Sequence, residues 1–319
     1  MKKNRWAAIL LSMTLLGGCS SAPQTETNDR LQIITTIFPE YDWVMNVLGE
    51  NPGEAEVTLL LDNGVDLHSY QPNAEDILKI STCDVFIYIG GESDAWVDDA
   101  LKNALNEDMI VINLLDSLGD TVKEEEHVEG MQEEHDHEED AEYDEHVWLS
   151  LRNAEVLTGV IANALGSADP DNADSYRANA EAYITELQAL DAEYTAMAEG
   201  AERKTLLFGD RFPFRYLTDD YGMDYYAAFA GCSAETEASF ETVVFLAGKV
   251  DELSLPAIMT IEGTNHRIAE TIRQNTASKD QEILVLDSMQ GTTSKDVQNG
   301  ISYLSIMEKN LEVLKTALN

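Results

Sequence analysis

Residues 171–200 read DNADSYRANAEAYITELQALDAEYTAMAEG, and within them Tyr176, Ala180, Tyr183, Leu187, Leu190, Tyr194 and Met197 recur at alternating steps of four and three. That is the period of one helical face, so the stretch predicts a single amphipathic helix of about 28 residues, roughly 42 Å long at 1.5 Å per residue. Asp169, Pro170 and Asp171 supply capping groups at its entry and Gly200 marks its exit. On the N-terminal side lie short apolar runs: LQIITTIF from residue 31, EVTLLL from 56, DVFIYIG from 84 and MIVINLL from 109. On the C-terminal side lie TLLFGD from residue 205, PAIMTIEG from 256 and EILVLDS from 282, alternating with helical segments such as FETVVFLAGKVDEL. Continuous apolar runs of this length read as parallel strands buried on both faces. The fold class is therefore α/β: an N-terminal lobe over 31–168, a linking helix over 169–200 and a C-terminal lobe over 201–319. One stiff helix between the lobes predicts limited motion between them.

The N-terminus carries an address. Lys2, Lys3 and Arg5 precede an apolar run from Trp6 to Leu16, which is too short to span a bilayer as a mature helix. The run closes on Leu16-Gly17-Gly18-Cys19, which resembles a bacterial lipobox. Residues 1–18 then read as a signal peptide, Cys19 as the lipidated residue and 19–30 as a polar tether. This places the protein outside the cytoplasm, lipid-anchored to the bacterial cell membrane; a monomer is the separate expectation. Sixty acidic against 20 basic residues give a net charge of −40, which argues against nucleic acid as a partner and toward cations. Cys83 and Cys232 are far apart in sequence and imply no disulfide framework; Cys83 opens an apolar run and reads as a core residue.

Residues 123–146, KEEEHVEGMQEEHDHEEDAEYDEH, hold thirteen carboxylates and four of the chain's six histidines. Charge repulsion and the near absence of apolar residues predict a disordered loop over 123–145. His127, His135 and His137 in this loop can collect a metal through weak binding, or the run can be simply a solvated charged face.

Ligands of open parallel sheets sit outside the carboxyl ends of the strands. His68 follows EVTLLL, Asp210 ends TLLFGD, Glu262 follows AIMTI, Asp287 follows ILVL, and His146 lies at the end of the acidic loop. Two imidazoles with one or two carboxylates make a first-row divalent site, with nitrogen favouring zinc and added oxygen extending tolerance to manganese or iron.

At these residues the chain resembles the zinc- and manganese-type solute-binding lipoproteins of ABC transporters, also called metal-binding adhesin lipoproteins, over about residues 31–319. HSYQPNAEDI around His68 and DEHVWLS around His146 are similar to the family's first and second ligand motifs, the second preceded by the same kind of His-rich acidic loop. FRYLTDDYGM is similar to the aromatic helix that follows the third ligand, TIEG to a glutamate-bearing strand end, and LDS to the position of an aspartate fourth ligand. The third ligand departs from the family: its position falls on Arg211, which cannot ligate a cation. Asp210 beside it is taken as third ligand and Asp287 as fourth, with Arg211 pairing a ligand carboxylate. Glu235 is the main competitor and Glu262 an alternative; Cys232 is a softer competitor, otherwise a buried structural thiol.

The resemblance implies a non-enzymatic binding protein that captures Zn2+, alternatively Mn2+ or iron, between two lobes and hands it to an ABC permease. The chain lacks nucleophile, phosphate-loop and HExxH motifs. A zinc hydrolase with Glu262 or Glu235 as general base is a remote alternative. A calcium-buffering surface protein would need oxygen-only coordination, against which the two histidines argue.

Overall fold

The computed structural model describes residues 30–49, 55–132, 143–233, 237–263 and 265–319; Cys19, His135, His137 and Glu235 lie outside these. In the first lobe, β1 (Leu31–Thr35), β2 (Ala55–Leu59), β3 (Val85–Tyr88) and β4 (Ile110–Asn113) form a parallel sheet of order β2-β1-β3-β4. Helices α1 (Phe38–Leu48), α2 (Ala74–Thr82), α3 (Val97–Leu101) and α4 (Leu114–Leu118) accompany the strands, and α5 (Leu151–Ala168) completes the lobe. The linking helix α6 runs Ala173–Gly200, 28 residues, with every one of the seven periodic residues buried.

The second lobe contains β5 (Thr205–Phe212), α7 (Arg215–Tyr221), β6 (Asp224–Ala230), α8 (Phe240–Leu253), β7 (Ala257–Ile261), α9 (Arg267–Asn275), β8 (Glu282–Leu286), α10 (Ser294–Gln298) and α11 (Tyr303–Ala317). Its parallel sheet has the order β6-β5-β7-β8, the same permutation as the first lobe. The expected strands are all present, and β6 is an addition. Its sequence DYYAAFA places two alanines in mid-strand, where β-branched residues normally signal the conformation.

Both lobes are fastened to α6. Toward the first lobe, Tyr183 Oη donates to Asp42 Oδ2 at 3.2 Å and Asn179 Nδ2 to the Val47 carbonyl at 3.0 Å. Toward the second, Tyr194 Oη donates to the Met307 carbonyl at 2.6 Å in a fully buried setting. One continuous apolar core holds Ile33 and Trp43 of the first lobe, Leu187 and Tyr194 of α6, and Phe208 and Tyr303 of the second lobe. Opening the lobes would expose part of that core, which supports the expectation of small relative motion. Cys83 packs in a separate small cluster on the outer face of the first sheet, as a core residue.

The acidic segment differs from the disorder expected over 123–145. Residues 133–142 are not among those described, whereas Lys123–Gln132 lie along the second lobe. Lys123 Nζ pairs with Asp219 Oδ2 at 2.7 Å, Arg215 Nη1 with Glu126 Oε2 at 3.2 Å, and Tyr225 Oη donates to Glu126 Oε2 at 3.1 Å. The Gln132 amide donates to the Ala228 carbonyl at 3.0 Å, covering part of edge strand β6. Val128 and Met131 pack against the core. Cations and donors on the second lobe thus offset the repulsion that the composition emphasises.

Candidate metal centre

Segments at the strand ends of the two sheets meet, Ser294 donating to Asp62 and Arg211 pairing with Asp66, and His68 comes from the loop after β2. It sits in a 3-10 turn, Leu67–Ser69, whose N-cap Asp66 accepts the His68 backbone N–H at 3.1 Å while Leu67 is buried below. Ser93 Oγ lies 2.7 Å from His68 Nδ1, and Glu145 Oε2 lies 3.6 Å from it. With Nδ1 engaged, the ring presents Nε2 to the interior.

His146 is fully buried at the start of the turn Val147–Leu149. Asp144 Oδ1 accepts both its backbone N–H at 2.8 Å and Nδ1–H at 3.0 Å, which again leaves Nε2 free to ligate. Trp148 flanks the ring at 5.1 Å between centroids, and Trp148 Nε1 is tied to the Ser288 carbonyl at 2.9 Å. The backbone of Gly231 also approaches the ring: a Cβ there would lie 3.1 Å from His146 Cε1 and 2.9 Å from the Phe212 carbonyl oxygen. Only glycine permits that approach without displacing one of them.

The two Nε2 atoms are 3.3 Å apart. Two lone pairs held face to face repel unless a proton or cation lies between them. Two Zn–N bonds of about 2.0–2.1 Å meeting at a tetrahedral angle separate their nitrogens by about 3.3 Å. The imidazoles are therefore spaced for a shared cation. Burial, with the positive charges of His146 and Arg211, holds the His68 pKa down to about 3 despite Asp66. Burial opposes charge on His146 as well, yet Asp144, Glu145 and Glu125 hold its pKa above the ordinary value. Glu145 Oε2 lies beside His68 with no hydrogen-bond partner among the described residues, and burial pushes the Glu145 pKa up against the Ser93 hydrogen bonds and the His146 charge.

Among the described residues, the ligating atoms of His68, His146 and Cys232 all lie within 4.8 Å of one another, and Asp210 and Asp287 do not join that group. Asp210 occupies an irregular stretch of β5 between Phe208 and Arg211; its Oδ1 accepts the Arg211 N–H at 3.0 Å and its Oδ2 lies 3.5 Å from the Ile261 N–H. Asp287 Oδ1 accepts the Met289 N–H at 2.8 Å. Glu262 accepts the Ser288 N–H and Oγ–H at 2.7 Å each and the Gln290 N–H at 3.1 Å. Burial and the Asp287 charge push the Glu262 pKa up, and burial does the same for Asp287.

Arg211, at the position where the family resemblance expects a ligand, reaches across to the first lobe, where Nη2 pairs with Asp66 Oδ2. This holds Asp66 below the usual carboxylate range despite burial. The Gln290 amide, turned with its nitrogen toward Asp66, adds donors at 3.1 and 3.2 Å. The carboxylate that caps the His68 turn is thereby held from the second lobe. His127 is exposed and outside the histidine group. The supporting residues Ser93, Asp144 and Glu145 were not singled out by the sequence reading. Asp144 and Glu145 immediately precede His146, where a local signal was available.

Two parallel α/β lobes joined by one rigid helix, with paired imidazoles buried at their interface, define the metal-binding class of solute-binding proteins. Residues 33–317 match the family model described as zinc-uptake complex component A, periplasmic, and the chain belongs to that family. It is 32% identical to the zinc-binding lipoprotein AdcA of Streptococcus pneumoniae, with 99% of this chain and 61% of that protein covered. It is 29% identical to the high-affinity zinc uptake system protein ZnuA of Bacillus subtilis, with 98% of this chain and 95% of that protein covered. The chain thus spans about 61% of the length of the streptococcal relatives. The crystal structure of the Zn(II)-bound ZnuA-like domain of Streptococcus pneumoniae AdcA superimposes with a TM-score of 0.72 at 29% identity, covering 91% of this chain and 99% of that one.

Proposed function

We propose that this protein captures Zn2+ between its lobes through His68 and His146 and delivers it to the permease of an ABC importer from the outer side of the membrane. Cys19 carries the lipid that tethers it there. The carrying observation is the 3.3 Å separation of two Nε2 atoms, with a polar partner at each ring's Nδ1. The zinc-binding relatives and the family match support the choice of cargo. Of the two bases considered for a hydrolase, Glu262 has both oxygens engaged by Ser288 and Gln290, and Glu235 lies outside the described residues.

His68→Ala and His146→Ala should each weaken zinc binding at least about tenfold in competition titration, while circular dichroism and melting show a folded chain. Unchanged affinity in both variants would remove the central claim.

A further inference from the structure

The second lobe contributes to the histidine pair a donor of another chemical kind. Cys232 follows β6, and its Sγ lies in the same group as the His68 and His146 nitrogens, all within 4.8 Å. It forms no disulfide. Two contacts hold its backbone in place: Gly231 is seated against His146 and the Phe212 carbonyl, and the Cys232 N–H donates to Glu125 Oε1 at 3.0 Å. The carboxylates first expected to ligate accept backbone N–H groups of their own loops, and Arg211 is engaged with Asp66.

We infer that Cys232 is the third metal ligand, bound as a thiolate, so that this chain holds its cargo in a two-imidazole, one-thiolate set. The inference rests on the metal-capture reading of the histidine pair and specifies what completes it. As the sulfur–metal bond forms, the thiol proton leaves to solvent, and the thiolate offsets one of the cation's two charges. Thiolate is a soft donor and favours zinc over manganese, so the same residue would set selectivity between those ions. With Zn–S near 2.3 Å and Zn–N near 2.0–2.1 Å, a tetrahedral ion places sulfur about 3.5 Å from each nitrogen. Sulfur need therefore move inward by no more than about 1.3 Å from the outer limit of the observed group.

The test uses the full protein loaded with cobalt(II), a spectroscopic stand-in for zinc. An intense near-ultraviolet sulfur-to-cobalt charge-transfer band should appear, vanish in Cys232→Ser, and be displaced by one equivalent of zinc. Cys232→Ser should also lose about a hundredfold or more in zinc affinity, beyond the usual cost of deleting a residue that merely orients a ligand. Zinc should protect the wild-type peptide containing Cys232 from alkylation, read by mass spectrometry, so the inference does not depend on the variant folding. Cobalt bound in a His68- and His146-dependent way, with no charge-transfer band and no thiol protection, would overturn the thiolate ligand and leave the histidine reading standing. Absence of any cobalt or zinc binding by the wild type would overturn both.

Discussion

The two lobes share a strand order but bring different chemistry to their common face. In the first lobe His68 and His146 have polar partners, Ser93 and Asp144, at Nδ1 and bring their Nε2 atoms to 3.3 Å from each other. In the second lobe the expected ligands accept hydrogen bonds from nearby backbone and side-chain groups. Asp210 accepts from Arg211, Asp287 from Met289, and Glu262 from Ser288 and Gln290. A carboxylate after a strand has two possible employers, a cation or the unsatisfied N–H groups of the next turn, and local loop geometry decides between them. A buried imidazole whose other nitrogen is already engaged has fewer alternatives.

The sharpest challenge to this contrast compares one supporting carboxylate in each lobe. Asp144→Asn keeps an acceptor beside His146 but removes its charge, and should weaken zinc binding by about 10- to 100-fold. Asp287→Asn, on the same titration, should change affinity by less than Asp144→Asn does. If Asp287 proves the costlier substitution, the second lobe supplies an oxygen ligand and the contrast fails.

A smaller effect is expected at the crossing between the lobes. Arg211→Ala removes the guanidinium from Asp66, while Asp66 still caps the His68 turn through its other oxygen. Loss of a charge-assisted contact between partly exposed groups should lower unfolding stability by about 1–2 kcal/mol in denaturant titration. Zinc dissociation should quicken several-fold as the His68 turn loosens. A large gain in affinity would mean instead that Arg211 acts mainly by repelling the cation.

What the sequence made legible follows the strength of each local signal. The helix over 171–200 carried seven in-phase apolar residues, and all seven are buried. Seven strands declared themselves by runs of Val, Ile and Leu. The eighth, β6, places Ala227 and Ala228 in its middle, and it is the strand that delivers Gly231 and Cys232 to His146. That strand leads to the second-lobe donor that, among the described residues, joins the histidine pair. His68 and His146 were legible because each sits in a short motif with its capping residues alongside. The Arg211–Asp66 pair joins residues 145 apart in the chain, and no local pattern encodes it.

The partners of the acidic segment's described flank also lie on the other lobe. Composition predicts that most of the segment is disordered, while in this flank Glu125 accepts the Cys232 N–H at 3.0 Å and Glu126 engages Arg215 and Tyr225. The segment therefore has a docked flank and a remainder, and deletions can separate them. Removing residues 133–142 with a short Gly-Ser bridge should leave zinc affinity within about threefold of wild type, because the loop-closure cost changes only slowly with length. Extending the deletion back through Glu125 should cost more, since it frees the backbone that positions Cys232. Equal losses from the two deletions would place tight binding in the removed histidines, His135 and His137, and not between the lobes.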